Sequence, residues 1–181
     1  MNNKEIYIKL EKAVGDNNVQ EVSNILDQHS DLDLNDENLY TLHPPLCRAA
    51  KKGFYEICKT LIQYGADVNC IKDRLFSPLW GASSGNHLEI VKLLIENGAD
   101  INAYESSTTA ALNEVAAKGH FEIVRYLIEK GADINRLTTT LLFSPLDWSI
   151  SSGHNEISLF LKEKGALSNI NHDYVSVSYT H

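Results

Sequence analysis

An all-α repeat solenoid, a stack of similar helix-turn-helix units, is the architecture this sequence encodes, on three grounds. A five-residue phrase recurs as Gly65-Ala66-Asp67-Val68-Asn69, Gly98-Ala99-Asp100-Ile101-Asn102, Gly131-Ala132-Asp133-Ile134-Asn135 and a worn Gly165-Ala166-Leu167-Ser168-Asn169, at steps of 33, 33 and 34 residues. Self-similarity at that period marks supersecondary units that cannot bury an apolar side alone and must stack. Ahead of the second phrase, Ile90, Val91, Leu94 and Ile95 recur at three- and four-residue intervals with Glu89, Lys92 and Glu96 opposite, the pattern of an amphipathic helix. Further upstream, Ser77-Pro78 reads as a helix start: the hydroxyl accepts from an orphan N–H, and proline suits the first helical position, where its missing donor is unused.

The same unit gives the order of its parts. A short helix follows Pro78 and ends near Asn86, which occupies the place held by Gly53, Gly119 and Gly153 in the sister units, all residues suited to a left-handed backbone. The second helix carries the apolar stripe and stops at Gly98. Asp100 to Asn102 open an extended excursion, a finger, before the next start. Helices of about ten residues are marginal alone, so neighbouring units must supply their stability.

The pattern resembles the ankyrin repeat, whose consensus runs Thr-Pro-Leu-His, a small-residue pair, Gly-His-Leu-Glu-Ile-Val, two or three leucines and Gly-Ala-Asp-Val-Asn. Pro45 to Asn69, Pro78 to Asn102, Ala111 to Asn135 and Pro145 to Asn169 match it. The resemblance implies one ankyrin repeat domain over 1–170, with repeats at about 5–35, 41–70, 74–103, 107–136 and 141–170, β-hairpin-like fingers between them and degenerate capping units at both ends. The first unit is degenerate, with Ala13, Gly15, Val19, Val22, Ile25 and Leu26 as its expected core. Ser158 stands where an apolar residue is usual, as expected of a last helix whose outer side meets water. Leu42, Leu75, Thr108 and Leu142 replace the usual hairpin-tip glycine, Ala110-Ala111 replaces Thr-Pro, and one extra residue lies within Leu137 to Phe143. Residues 171–181 form a C-terminal tail, either packed on the last repeat or dangling. The resemblance also likens Asn69, Asn102 and Asn135 to asparagines hydroxylated in animal cells, although hairpin residues are the simpler reading.

Composition sets bounds on function. The 181 residues are 43% hydrophobic and 22% charged, as in one soluble globular or repeat domain. No run approaches the ~18 uncharged apolar residues of a membrane span. Met1-Asn2-Asn3-Lys4-Glu5 lacks the features of a secretory signal, so a cytoplasmic protein without a membrane partner is expected. Cys47, Cys58 and Cys70 are odd in number and form no Cys-x-x-Cys pair, so they read as reduced thiols. The formal charge of −8 is concentrated at one end: residues 1–40 carry nine acids and three lysines, while 41–136 balance at eleven of each sign. Clustered Lys and Arg for phosphate binding are missing, which argues against nucleic acid.

No phosphate-loop, dinucleotide, nucleophile-elbow or zinc-protease motif occurs, so no catalytic residue, cofactor or metal is expected. His87, His120 and His154 recur at one repeat position, but units stacked about 10 Å apart cannot bring them to one ion, so they read as structural. His43 and Cys47 are separated by Pro44-Pro45, which breaks any helix that would pair them for catalysis. Cys58 lies in the apolar stripe and should be inert.

The resemblance implies a non-enzymatic module that recognises another folded protein through a concave groove of finger tips and first-helix faces, acting as a monomer. Aromatic and arginine side chains anchor such interfaces, because they bury much area while keeping polar or cationic handles. The expected partner-binding residues are Tyr40, His43, Arg48, Asp73, Arg74, Phe76, Trp80, Tyr104, Glu114, Phe143 and Trp148, with packing an even alternative for each aromatic. A second possibility is a dedicated inhibitor, immunity-type protein or secreted effector whose acidic run, Asp27, Asp31, Asp33, Asp36 and Glu37, docks a basic partner.

Overall fold

A computed structural model describes residues 2–36, 38–39, 43–71, 76–103 and 110–170. Among them are ten α-helices in five consecutive pairs and no strand: α1 (Asn3–Gly15) with α2 (Val19–Gln28), α3 (Pro45–Lys52) with α4 (Tyr55–Gln63), α5 (Pro78–Ser84) with α6 (Leu88–Glu96), α7 (Ala111–Lys118) with α8 (Phe121–Glu129), and α9 (Pro145–Ser151) with α10 (Asn155–Glu163). The chain divides into two compact units, residues 1–100 with the first three pairs and 101–181 with the last two. The tail and the tips bearing Leu42, Leu75 and Thr108 lie outside the described residues.

In the first unit, first helices pack on first helices and second on second: α3 lies against α1 and α5, and α4 against α2 and α6. Helix starts follow side-chain chemistry. Asn2 accepts the Glu5 N–H while the Glu5 carboxylate accepts the Asn2 N–H, a reciprocal cap. Ser77 Oγ accepts from Trp80 N at 3.1 Å, with Pro78 at the first helical position as anticipated. Asn86 takes φ +61 and Gly53 +80, the left-handed turns expected between helices. Ile90, Val91 and Leu94 are buried on α6, roughly 2 kcal/mol each by transfer.

The first pair corrects two expectations. Its core is Ile6, Tyr7, Leu10, Ala13, Val14, Val22, Ile25 and Leu26, whereas Gly15 and Val19 are only half-buried. Gly15 serves a neighbour, since a Cβ there would meet the Arg48 guanidinium at 2.7 Å.

Within each unit, the repeated asparagine is the rung between successive repeats. Asn35 donates through Nδ2 to Gly65 O at 3.0 Å and accepts at Oδ1 from Asp67 N at 2.8 Å; Asn69 repeats this with Gly98 O at 3.1 Å and Asp100 N at 2.8 Å. In the second unit Asn102 bridges to Gly131 O and Asp133 N, and Asn135 accepts from Leu167 N. An amide side chain can do both at once, donating through its NH2 and accepting at its oxygen. The far end uses a backbone N–H, which is why the last phrase can carry Leu167 where the others carry aspartate. Two of the histidines act similarly: His87 Nε2 meets Lys51 O at 3.2 Å and His154 Nε2 meets Ala117 O at 3.0 Å, each one repeat back within its own unit.

In the second unit α7 packs on α9 and α8 on α10. Ala110 provides no side-chain cap, so α7 starts without the bond that Ser144 gives α9. Ser158 corrects the expectation of a water-facing cap. It is buried, bonded to Ser149 Oγ at 2.8 Å and to His154 O at 3.0 Å, because its place on α10 faces the helix partner α9. The extra residue falls in a closed loop: Thr138 N donates to Phe143 O at 2.9 Å, and Thr138 Oγ1 accepts from Phe143 N at 3.1 Å. The loop forces Leu142 to φ +54, where a Cβ is strained, and leaves its side chain exposed. Leu142→Gly is therefore expected to stabilise the chain by roughly 0.5–1 kcal/mol, read as a higher Tm; an unchanged or lower Tm would show that the loop carries no strain.

Candidate partner-binding surface

Of the expected partner-binding residues, Tyr40, Asp73, Arg74 and Tyr104 lie outside the described residues; the other seven are placed. The cap at Ser77 fixes the start of α5, so Phe76 stands just before the helix and Trp80 one turn later. Their rings meet with centroids 5.5 Å apart. His43 packs on the Phe76 ring at 4.7 Å, and Lys51 Nζ sits 4.6 Å from its centroid as a cation–π contact. Gly81 makes room, since a Cβ there would lie 3.2 Å from Phe76 and 3.3 Å from Lys51. His43, Phe76 and Trp80 are all half-buried, so each is both packed and presented to solvent.

Burial, then the charges of Lys51 and Arg48, lower the His43 pKa below its usual value of 6.5, keeping the ring neutral near pH 7. A neutral imidazole packs on the Phe76 face without the desolvation cost of a cation. Arg48 is committed inward: its guanidinium covers Gly15 and Nη1 donates to Glu11 O at 3.4 Å.

The second unit carries a smaller cluster. Phe143, closing the 138–143 loop, packs on Trp148 at 5.1 Å, and both are half-buried. The Trp148 indole N–H is buried without an acceptor. Glu114 pairs with Lys118 one turn on, at 3.1 Å.

The repeat position of Trp80 holds a different residue type in each repeat. Its counterparts turn inward to bond backbone: Cys47 Sγ lies 3.4 Å from Phe76 O, Asn113 Nδ2 donates to Arg136 O at 2.9 Å, and Asp147 accepts from Asn169 N at 3.0 Å. Trp80 is half-exposed and packs in the aromatic cluster. Lys51 was not among the expected partner-binding residues. The available signal was its spacing of three residues from Arg48, one turn along the same helix face.

The acidic run is largely occupied locally. Asp33 and Asp36 accept from Asn35 N and Asn38 N in their own turns, and Asp27 accepts from the Tyr64 hydroxyl, the main cause of the raised Tyr64 pKa. Cys58 is fully buried, which pushes its thiol up to about 12 and makes it unreactive, as expected from the apolar stripe.

Stacked helix pairs tied by asparagine rungs define a helical repeat protein of the ankyrin type. The family model for ankyrin repeats in three copies matches residues 10–105 and again 105–172, and the chain belongs to the ankyrin repeat family. Ankyrin repeats are generally protein–protein interaction modules. The chain is also similar to a protein of Rickettsia bellii strain RML369-C named as an ankyrin repeat protein, with 39% identity over 67 residues, covering 35% of this chain and 39% of that relative. It thus spans about two fifths of that relative's length. Among the described residues no helix is long and apolar enough to cross a membrane.

Proposed function

We propose that this chain is a non-enzymatic interaction module that binds another folded protein through half-exposed aromatic clusters, Phe76–Trp80 with His43 and Lys51 in the first unit and Phe143–Trp148 in the second. The observation that carries the reading is the geometry around Phe76. A ring fixed on three sides by an imidazole, an indole and an ammonium loses little conformational freedom when a partner covers it, so most of its burial goes into affinity. The thiols of Cys47, Cys58 and Cys70, read as reduced, support work in a reducing compartment.

The test is differential capture from lysate of the source cells, using wild-type chain and the Trp80→Ala and Trp148→Ala variants, each checked for helix content. A protein retained by wild type and bound roughly tenfold or more weakly by Trp80→Ala is the expected result. Equal retention by all three would refute the assignment. The inhibitor reading differs in locating contact on the exposed carboxylates near Asp31. It requires capture that collapses with added salt and survives Trp80→Ala.

A further inference from the structure

Cys47 and Cys70 are 23 positions apart in sequence, yet their Sγ atoms face each other at 3.6 Å. Cys47 is fully buried in the first turn of α3, while Cys70 follows the Asn69 rung and is half-buried, within reach of small solutes. The second helix of the repeat returns the chain so that Cys70 lies over the start of the first helix. Cys47 Sγ is also 3.6 Å from Cys70 O and 3.4 Å from Phe76 O, so it is held at the root of the finger that leads into the aromatic cluster. Closing the gap to the ~2.0 Å of a disulfide needs the two sulfurs to approach by about 1.6 Å. The third thiol, Cys58, is sealed in the core and cannot compete.

We infer that Cys47 and Cys70 form a site of reversible oxidation, closing to an intrachain disulfide with a hydroperoxide as oxidant. The Cys70 thiolate, the solvent-accessible member, attacks one peroxide oxygen; the O–O bond breaks, the departing oxygen takes a proton and leaves as water when the oxidant is hydrogen peroxide, and Cys70 becomes a sulfenic acid. Cys47 then attacks that sulfur; the S–S bond forms, the S–O bond breaks, and the hydroxide leaves as a second water with the Cys47 proton. Two thiols lose two electrons in total, and one peroxide gains them. The cross-link removes the Cys47 S–H that faces the Phe76 carbonyl and closes a loop through α3 and α4, which restricts the unfolded chain.

The experiment treats the full chain with equimolar hydrogen peroxide, quenches it, and reads intact mass and a non-reducing peptide map. The expected product is a monomer lighter by two hydrogens, with peptides containing Cys47 and Cys70 joined, a raised Tm, and full reversal by dithiothreitol. Cys70→Ser should give no linked product. Cys47→Ser should leave a sulfenic acid on Cys70 that dimedone traps; because Cys47 is buried, Cys47→Ala with unchanged helix content serves as the second variant. Linkage through Cys58, intermolecular dimers as the main product, or sulfinic acid on Cys70 in wild type without the linked species would each overturn the inference.

Discussion

Replacing Asp147 by alanine is expected to destabilise the second unit by about 3 kcal/mol. This carboxylate is fully buried, which is tolerable only because its oxygens are used throughout. Oδ2 accepts from Ser144 N and Ser144 Oγ at 2.8 Å each and from Asn169 N at 3.0 Å, and Ser168 Oγ lies 2.6 Å from Oδ1. One side chain therefore completes the cap of α9 and fastens the end of the last repeat. Alanine would leave several buried donors unmatched, including those of Ser144, itself fully buried. Asp147→Asn should lose less, since one amide oxygen still accepts while its NH2 faces donors. Urea unfolding followed by Trp148 fluorescence in a Trp80→Phe background reads the effect; a loss below about 1 kcal/mol would mean the network is dispensable.

A second large effect is expected at Gly119, and its size can be divided into causes. Gly119 takes φ +80, and a Cβ built there lies 2.6 Å from Cε1 of the His154 ring that reaches back from the next repeat. Alanine must bear a left-handed backbone, about 1–2 kcal/mol, and displace a ring held by its bond to Ala117 O, for about 1–3 kcal/mol more. Gly131, at φ +94, has nothing within 4 Å of its would-be Cβ, so Gly131→Ala should show the backbone part alone. Combining Gly119→Ala with His154→Ala should recover the steric part. Chemical denaturation of these three variants and of His154→Ala alone measures this; equal losses for Gly119→Ala and Gly131→Ala would show that the histidine yields freely.

These two sites also mark how far the sequence could be read. The period, the Ser77-Pro78 start, the left-handed turn at Asn86 and the sealed position of Cys58 were legible because each depends on local chemistry or on register within one helix. Contacts that depend on where one repeat meets the next were less visible. Arg48 was expected among the partner-binding residues from its place on a first helix, and only the packed repeats show that its guanidinium lies on Gly15 of the preceding pair. The repeated asparagines looked like finger residues because the backbone groups they bond are about thirty positions away. Ser158 was misplaced for the same reason: its partner Ser149 is on the facing helix, and only the packed pair reveals that the position points inward. Cys47 and Cys70 share no sequence signal at all, since their approach follows from the return of a whole helix pair.

Phe76, Trp80 and His43 were picked as aromatic or polar anchors, and the structure gathers them around one ring; the cation that completes the group, Lys51, is ordinary in sequence and significant only in place.

Hydrogen exchange on the full chain, with and without the protein captured from lysate, tests the proposed surface most directly. Slowed exchange should concentrate in peptides covering 76–84 and 143–151, which carry the two aromatic clusters. Protection confined to the second helices α6 and α8, or none anywhere despite saturation with partner, would contradict it.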